Sequence, residues 1–540
     1  MSFEVVAKDL AGRVGRLRTR KGTLETPALA PVVNPFKSTI SIKEIEEIGF
    51  KFVITNAYII WRRYGELGKE LKLDSILGTS SDVVIMTDSG AYQLMEYGYI
   101  DVSPDQILLY QLDIGSDIAV ILDIPTRPES SRRAVWLEVE ETIRRAMRAL
   151  AVKSSVGSDT LLVGPIQGGT HLDILRYSAR KMSKLPFDIY AVGSPTRLLA
   201  EYEFSKVVDM IVTVKSEVPL SKPVHLFGAG HPIMLALAVA LGCDLFDSAS
   251  YILYARDGRY MTPHGTYRLS ELKVLPCNCP VCRKYTVEDL LELPSHERER
   301  ELAKHNLYVL KYELDSIKQA IYEGRLWELL EVRCRSHPGL YRALKKLRKY
   351  RKYIEELDPV TGGEIRGIFL YEGTSYFRPE VERHRYRVLN LYEPPARDVL
   401  IVVTDVEKKP FHIDPSVRKI LSELSRVGAL NRVHVLVFYP PFGPIPLEVD
   451  DVYPLSQNES YVSIVSPDTK RAIDTLARYL RKFCQRYRKV LVVGKVTHRY
   501  LGDALTKKLS MLDIEVHDLD PRLLAERVRK YLKEISTSTR

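Results

Sequence analysis

The chain has 540 residues, of which 45% are hydrophobic and 27% charged, and it carries a formal net charge of +10 with a sequence pI of 9.0. It has no apolar stretch of about 18 residues, the length of a membrane span, and opens without a charged-then-apolar leader. We therefore expect a cytoplasmic protein of several domains. The excess of Lys and Arg favours a polyanionic partner such as nucleic acid, although an ordinarily charged surface is the alternative.

Eight short apolar runs, each ending in a polar or glycine-containing turn, occupy the first half of the chain. They are PALAPV, KFVITN, VVIMTDSG, IAVILDIP, LLVGPIQGG, IYAVGSP, VHLFGAG and CDLFDSAS. Helix-period segments follow most of them, and this alternation predicts an α/β fold with a parallel sheet. Eight units in about 250 residues predict a (β/α)8 TIM barrel over residues 1–276. The alternative, an open Rossmann-like sheet, lacks the expected G-x-G-x-x-G after its first strand.

The predicted strands end in polar residues and glycines. These residues are Asn56, Asp88, Asp123, Gln167, Gly193, Gly228 and Asp247. Because the active site of such a barrel lies at the C-terminal ends of its strands, we expect three carboxylates and two carboxamides to meet at one mouth. Taken alone, Asp88 is ambiguous, since an aspartate before Ser-Gly is also a common helix N-cap.

Three of the six cysteines form a cluster in CNCPVC, where Cys277, Cys279 and Cys282 give a C-x-C-x-x-C pattern. Their number and spacing do not suit a disulfide framework and predict a metal site. His305 would complete a Cys3His set; His296 competes for that place, but His305 lies well inside the following helical run. Four protein ligands predict one structural Zn2+ per subunit, with no open position for chemistry. An iron–sulfur cluster and metal-free cysteines are the alternatives.

The rest of the chain divides by pattern into three parts. Residues 277–356 are charged with helical apolar spacing and predict a zinc-binding and helical region. Residues 357–396 are less regular, end in two prolines, and predict a barrel-closing segment and linker. Residues 397–540 alternate strand runs such as DVLIVVTDV and RVHVLVFYP with amphipathic helices, which predicts a smaller C-terminal α/β domain.

The motifs together resemble the tRNA-guanine transglycosylase family over the whole first domain. The family's D-S-G-G-F-Q signature is similar to DSGAYQ at 88–93, with Ala91 and Tyr92 in place of glycine and phenylalanine. Its Q-G-G segment is similar to 167–169, its F-D segment to 246–247, and its C-x-C-x-x-C with a later H-N-L to the cysteine cluster and His305. The two departures leave both carboxylates, at 88 and 247, in place.

The resemblance implies that guanine in a tRNA is cut from its ribose and replaced by a deazaguanine. Retained configuration requires two displacements at the anomeric carbon, so one carboxylate holds the ribose covalently, and Asp247 is the implied nucleophile. The leaving base gains a proton and the incoming base loses one, which implies Asp88 as the general acid and base.

The same resemblance implies how the base is bound. Asp123 would accept hydrogen bonds from the ring N–H and the amino group of guanine. Gln167 and the backbone N–H near Gly193 would donate hydrogen bonds to its carbonyl. Because the base is stacked in RNA it must be flipped out first, and Tyr92 is a candidate stacking platform. A tyrosine at this place could equally pack the turn.

The branch of the family is indicated by one turn and by the C-terminal domain. Bacterial members have a glutamate after the glycine of the sixth strand, whereas Ser194 follows Gly193 here, so a neutral nitrile suits the turn better than an ammonium group. The C-terminal domain resembles the archaeal extension. We therefore expect guanine 15 of the tRNA D-loop to be exchanged for 7-cyano-7-deazaguanine, in archaeosine biosynthesis.

The expected partners follow from the same branch. The resemblance implies a homodimer through the zinc region, and the lack of an evident PUA domain makes a separate PUA-domain protein a candidate partner. The run LKKLRKYRKY at 344–353 is either a solvated helix face or a phosphate track on RNA. The alternatives are an archaeosine synthase-like paralogue and a non-catalytic tRNA-binding subunit, and Asp88 with Asp247 argues against both.

Overall fold

The computed structural model describes residues 3–80, 82–91, 101–360, 366–404, 406–461, 467–493, 507–509, 514, 516–517 and 520–538. The chain divides into two compact units, Met1–Glu364 and Ile365–Arg540. Within the described ranges, no helix combines the length and apolarity that a bilayer crossing needs.

The first unit contains thirteen described strands. They are β1 Phe3–Asp9, β2 Gly12–Thr19, β3 Gly22–Thr26, β4 Ala28–Pro31, β5 Phe52–Asn56, β6 Val84–Asp88, β7 Ile118–Val120, β8 Leu161–Ile166, β9 Ile189–Val192, β10 Val224–Leu226, β11 Leu245–Ser248, β12 Arg259–Thr262 and β13 Gly265–Arg268. Its described helices are Ile42–Glu47, Ala57–Tyr64, Leu67–Leu77, Pro104–Asp113, Arg132–Val156, Leu172–Met182, Thr196–Ala200, Phe204–Lys215, Pro232–Ala240, Ser250–Arg256, Pro280–Lys284, Val287–Glu292, Ser295–Glu323, Leu326–Cys334, Pro338–Lys346 and Arg351–Leu357.

Strands β4 to β11 form the barrel that the eight apolar runs predict. Their order is β4-β11-β10-β9-β8-β7-β6-β5, and every neighbouring pair is parallel. A parallel bridge between Val32 and Ile54 joins the two ends of this sheet, and the N–H of Val33 donates to the carbonyl of Ile54 at 2.8 Å. The prediction of a TIM barrel is confirmed, and all eight predicted strands belong to it.

The barrel interior is filled by alternate residues of its strands, because side chains of a strand point to opposite faces with a period of two. The buried interior set includes Ala28, Ala30, Phe52, Ile54, Val84, Met86, Ile118, Val120, Leu161, Val163, Ile189, Ala191 and Leu245. Small residues on β4 lie beside large ones on the neighbouring β5, and all of these side chains are buried in the interior.

A three-stranded antiparallel sheet, β1-β2-β3, precedes the barrel and was not predicted. Phe3, Leu17 and Leu24 of this sheet join the buried barrel cluster. The N–H of Ala11 donates to the carbonyl of Ala240, at the end of the helix that leads into β11. The sheet therefore lies at the N-terminal ends of the barrel strands, opposite the predicted site.

The second unit is an α/β fold. Its main sheet has five strands in the order β17-β16-β15-β19-β20, and β14 pairs with β18 in a separate two-stranded sheet. Its strands are β14 Ile368–Leu370, β15 Val399–Val403, β16 Val433–Tyr439, β17 Gly443–Pro446, β18 Asn458–Ser460, β19 Lys489–Val493 and β20 Val516–His517, and its described helices are Pro379–Asn390, Pro415–Arg426, Pro467–Phe483 and Pro521–Ser538. The four strands β16, β15, β19 and β20 are parallel, and β17 is an antiparallel edge. The predicted smaller α/β domain is confirmed.

The segment 357–396 is more regular than its sequence suggests. Its residues Pro379–Asn390 form a helix, so the prediction of irregular structure is wrong there. Val381 joins the core on one face of the second sheet, and Val388 and Leu389 join the core on the other. The boundaries at 276/277, 356/357 and 396/397 stay predictions.

The β1–β3 sheet is held to the barrel by a buried ion pair. Arg13 of β2 donates through Nε and one Nη to the two carboxylate oxygens of Asp244, at 2.7 and 2.9 Å, and the guanidinium also donates to the carbonyls of Leu220 and Lys222. The side chains of Arg13 and Asp244 are 5% and 0% exposed. Removing one partner of such a pair leaves the other charge buried and unpaired.

We expect Arg13→Ala to lower the free energy of unfolding by about 3 kcal/mol, measured by denaturant titration. The control is Arg132→Ala, because Arg132 pairs with Asp173 at the surface, where both side chains are more than half exposed, and should change stability little. Equal losses in the two variants would contradict the structural role given to the buried pair.

Candidate functional site

Asp88 ends β6 at the mouth of the barrel. Its Oδ2 accepts from Asn56 Nδ2 at 2.8 Å and from the N–H of Gly90 at 3.3 Å. Burial and the negative charges of Asp123 and Asp247 together raise the pKa of Asp88 to about 7, against the backbone hydrogen bonds that lower it. Asp123 and Asp247 therefore both lie close enough to Asp88 to influence its ionisation.

Asp123 follows β7 and is 3% exposed. Gln167, 1% exposed, donates from Nε2 to Asp123 Oδ2 at 2.5 Å. The Oε1 of Gln167 accepts from the N–H of Thr126 at 3.1 Å and from the hydroxyl of Ser194 at 3.0 Å. These bonds fix the orientation of the amide. Burial raises the pKa of Asp123 to about 6, although the bond from Gln167 favours the anion.

Gly193 lies against the side chain of Gln167. A Cβ at this position would be 2.4 Å from Gln167 Nε2, closer than atoms can approach, so glycine is required for the amide to stay in place. The N–H of Gly193 donates to the carbonyl of Ile166 at 3.0 Å. The prediction of a backbone donor near Gly193 therefore cannot refer to Gly193 itself. Among the described residues, the N–H of Ser194 has no backbone acceptor, and Ser194 has a φ of 55°.

Asp247 lies in β11 with its side chain 15% exposed. Its Oδ1 accepts from His225 Nε2 at 2.8 Å and from the N–H of Gly228 at 3.0 Å. His225 is fully buried, and its Nδ1 has no hydrogen-bond partner within the part of the chain that is described. A proton on Nδ1 would be unpaired, so the tautomer with the proton on Nε2 is favoured. Both bonds end on Oδ1, so Oδ2 takes part in neither of them.

The cysteine cluster and His305 come together as predicted. One ligand atom from each of Cys277, Cys279, Cys282 and His305 lies within 4.8 Å of the others, so the four residues could hold a metal ion. His305 Nδ1 is 3.4 and 3.3 Å from the sulfurs of Cys279 and Cys282. His296, the competing candidate, is 77% exposed and lies beside Glu297.

The second ring nitrogen of His305 fixes which atom faces the sulfurs. Its Nε2 donates to the carbonyl of Met261 at 2.9 Å, which leaves Nδ1 as the lone-pair nitrogen. The imidazole also stacks on Tyr260 with ring centroids 3.7 Å apart. Asn306, the next residue, accepts from the N–H of Met261 at 2.9 Å and donates to the carbonyl of Tyr251 at 3.0 Å.

Comparison with known families gives two matches along the chain. Residues 9–339 match the model described as queuine tRNA-ribosyltransferase. The chain belongs to this family. Residues 381–519 match the model of a domain of unknown function, DUF5591.

Similar proteins share both units of this queuine tRNA-ribosyltransferase family member. A protein of Pyrobaculum aerophilum named tRNA-guanine(15) transglycosylase is 50% identical over 462 residues, which are 85% of this chain and 90% of the relative. Proteins with the same name from Sulfolobus acidocaldarius and Methanocaldococcus jannaschii are 42% and 43% identical, over 92% and 89% of this chain and 96% and 72% of their own lengths.

His225 is the residue of this site that sequence reasoning missed. It lies inside the apolar run VHLFGAG, on the same strand face as residues that fill the barrel, because it pairs in register with Ala191 and Leu245. A polar residue at an inward position of a barrel strand is the signal that could have found it. Tyr92, the predicted stacking platform, lies outside the described residues.

The raised pKa of Asp88 predicts how stability depends on pH. In the unfolded chain an aspartate titrates near pH 3.9, and in the folded protein Asp88 titrates near 7. The folded state therefore binds the extra proton between these values, and ionisation of Asp88 destabilises the fold as pH rises. We expect Asp88→Asn to be more stable than the wild type at pH 8, by roughly 2–4 kcal/mol, and equal to it below pH 4.

Thermal unfolding followed from pH 4 to pH 8 measures this difference. Asp82→Asn is the control of opposite sign, because hydrogen bonding to Lys51 lowers the pKa of Asp82 to about 2. That variant should lose stability at neutral pH and not gain it. A stability difference for Asp88→Asn that is the same at pH 4 and pH 8 would contradict the effect of burial.

Proposed function

We propose that this protein is a tRNA-guanine(15) transglycosylase that replaces guanine 15 of the tRNA D-loop by 7-cyano-7-deazaguanine, in archaeosine biosynthesis. The observation that carries the proposal is the meeting of Asp88, Asp123 and Asp247 at one barrel mouth, with Asp88 titrating near neutrality. The relatives with this name, which match both units, support the same reaction.

Asp247 is proposed as the nucleophile. Its Oδ1 is held by His225 and by the N–H of Gly228, so Oδ2 can attack the anomeric carbon of the ribose from the face opposite the base. The bond from that carbon to guanine breaks, and the ribose stays on Asp247 as an ester. Attack by the incoming base from the opposite face then releases the carboxylate, so the configuration is retained.

Asp88 is proposed as the general acid and base. A group that gives a proton to the leaving guanine and takes one from the incoming base works best when its pKa is near the working pH. The value of about 7 for Asp88 meets this condition, whereas an ordinary aspartate would be ionised almost completely at neutral pH. Asn56 Nδ2 stabilises the ionised form between the two steps.

Asp123 and Gln167 are proposed to bind the base. Guanine presents an N–H and an amino group that can donate hydrogen bonds to a carboxylate. Asp123 is the buried carboxylate beside Asp88. Gln167 has one N–H of Nε2 beyond the one that Asp123 accepts, and this N–H would donate to the guanine carbonyl. The second donor to that carbonyl would be the N–H of Ser194, with Gly193 supplying the space for Gln167.

The identity of the incoming base is proposed from the same turn. No carboxylate follows Gly193, and the side chain of Ser194 donates to Gln167. An ammonium substituent would stay unpaired there, while a nitrile needs no counter-charge. This supports 7-cyano-7-deazaguanine. The homodimer, the separate PUA-domain protein, the stacking role of Tyr92 and the cytoplasmic location stay predictions.

The metal is proposed to be a structural zinc ion. Zn–S bonds of about 2.3 Å in a tetrahedron place two sulfurs about 3.8 Å apart, and the sulfurs of Cys279 and Cys282 are 3.6 Å apart. Three thiolates with one imidazole suit zinc and leave it no open position, so the ion would hold the cysteine loop against the helix Ser295–Glu323 and take no part in the exchange.

The proposed reaction is tested with a tRNA that carries labelled guanine at position 15. Wild-type protein with 7-cyano-7-deazaguanine should release the label, while Asp247→Asn should release none and form no denaturation-resistant adduct with the RNA. The control Asp82→Asn, at the surface, should exchange as the wild type does. Retention of the label by the wild type would refute the proposal, and loss of an installed nitrile instead would favour the archaeosine synthase-like alternative.

The zinc proposal is tested by elemental analysis of the purified protein. We expect about one zinc per chain, loss of zinc in His305→Ala, and full zinc in the control His296→Ala. Chelation should lower the melting temperature before it lowers activity, because the ion stabilises the structure and has no open position. Detection of iron with sulfide, or of no metal in the purified protein, would contradict the zinc proposal.

A further inference from the structure

An exposed aromatic cluster lies beside the mouth of the barrel and has no part in the proposed chemistry. Tyr202 is 46% exposed and stacks on His337, with ring centroids 4.5 Å apart and ring planes 22° apart. Phe204, which is buried, presents its edge to both rings, with centroids 5.9 and 6.1 Å away. The tyrosine ring is therefore held in a fixed orientation with much of its surface in solvent.

The backbone of Tyr202 is unusual for a bulky residue. Its φ is 58°, in the left-handed region that glycine normally occupies. Its N–H donates to the carbonyl of Leu199 at 3.2 Å, at the end of the helix Thr196–Ala200. A conformation of this kind costs about 1–3 kcal/mol and persists only where the surroundings enforce it. The chain thus spends stability to present an exposed aromatic ring.

The cluster is connected directly to the catalytic loop. A Cβ on Gly228 would lie 2.5 Å from the hydroxyl of Thr196, so the helix that leads to Tyr202 touches the loop whose N–H holds Asp247. His231, three residues further on, caps the helix Pro232–Ala240, and its pKa is lowered to about 4 by burial and, to a smaller extent, by the charge of His337. Tyr202 and His337 therefore lie at the same end of the barrel as the proposed nucleophile.

His337 lies within a basic stretch of the chain. Residues 332–354 contain nine Lys and Arg and no Asp or Glu. The basic side chains that are exposed there are those of Arg335, Arg342, Lys345, Arg348, Lys349 and Lys352. Within the described residues, neither Arg342 nor Lys345 forms an ion pair, and Lys345 lies over the ring of Tyr341 at 4.5 Å. Lys346, by contrast, is neutralised by Asp209.

We propose that Tyr202, backed by His337, is a stacking platform for an unpaired nucleotide next to the target guanosine, and that Arg342 and Lys345 bind the phosphates that follow it. Stacking on aromatic rings beside a cationic track is the usual way to hold single-stranded RNA. A flipped guanosine opens the stack of its neighbours, so a nucleotide beside it needs a new surface. The inference rests on the proposed function, since it takes tRNA as the substrate.

RNA fits this surface better than a protein partner does. Within the described cluster the ring of Tyr202 is exposed and that of Phe204 is buried, so the cluster itself is smaller than the broad apolar patch that a stable protein interface would need. The adjoining stretch of nine basic residues would repel a second copy of itself across a two-fold axis and would attract phosphates.

The experiment measures binding of a fluorescent, unmodified tRNA transcript to the full chain by anisotropy at several salt concentrations. Tyr202→Ala should weaken binding about 5- to 100-fold without changing the slope of log Kd against log salt, because stacking is not electrostatic. Tyr202→Phe, which keeps the ring, should restore binding. The double variant Arg342→Ala, Lys345→Ala should reduce that slope by about 1.5–2, since each phosphate contact contributes nearly one.

Two matched controls lie at the opposite end of the barrel. Tyr322 is 47% exposed and lies four residues before Leu326, whose N–H donates to Asp9 in the β1–β3 sheet. Lys184 is exposed and precedes β9. Tyr322→Ala and Lys184→Ala should bind tRNA as the wild type does. Melting temperatures of all variants show that each is folded.

Three results of the binding experiment would overturn the proposal. They are wild-type binding by Tyr202→Ala, an unchanged salt slope in the double variant, and a Tyr202→Phe variant as weak as Tyr202→Ala. A change in oligomeric state with unchanged tRNA binding would assign the surface to a protein contact instead. If the wild type binds tRNA through Tyr202 but exchanges no guanine, the proposed function fails and the platform stands. If the wild type exchanges guanine and the Tyr202→Ala variant does so with an unchanged KM for tRNA, only the platform fails.

Discussion

The site depends on the desolvation of several carboxylates in one barrel mouth. An aspartate in water is ionised at neutral pH, and three ionised neighbours would repel one another. In this mouth burial raises the pKa of Asp88 to about 7 and that of Asp123 to about 6. The hydrogen-bond donors to the carboxylates also differ. His225 and the N–H of Gly228 donate to Asp247, while the side-chain amide of Gln167 donates to Asp123. Similar side chains thereby acquire different roles.

The barrel supplies this environment because its other surfaces are closed. Apolar side chains fill the interior beneath the mouth, and the β1–β3 sheet covers the opposite end. The buried pair of Arg13 and Asp244 fixes the covering sheet to the start of β11, so the strand that carries Asp247 is anchored at both ends.

The features that sequence predicted are those that local pattern determines. Eight apolar runs predicted the barrel, and the spacing of the cysteines with His305 predicted the cluster that the structure brings together. The β1–β3 sheet was missed because its residues alternate without a strong apolar run. The contact of His225 with Asp247 and the space that Gly193 leaves for Gln167 depend on neighbours far along the chain, which no local pattern records.

The Cys3His cluster and the barrel mouth are connected through the segment of chain between them. His305 donates to the carbonyl of Met261. The next residue, Asn306, accepts from the N–H of Met261 and donates to the carbonyl of Tyr251. Tyr251 lies in the helix Ser250–Arg256, which begins two residues after β11 ends. A closed four-ligand site at this place orders the chain just beyond Asp247. The cluster is therefore connected to the proposed nucleophile through hydrogen bonds to the backbone of the segment that follows Asp247.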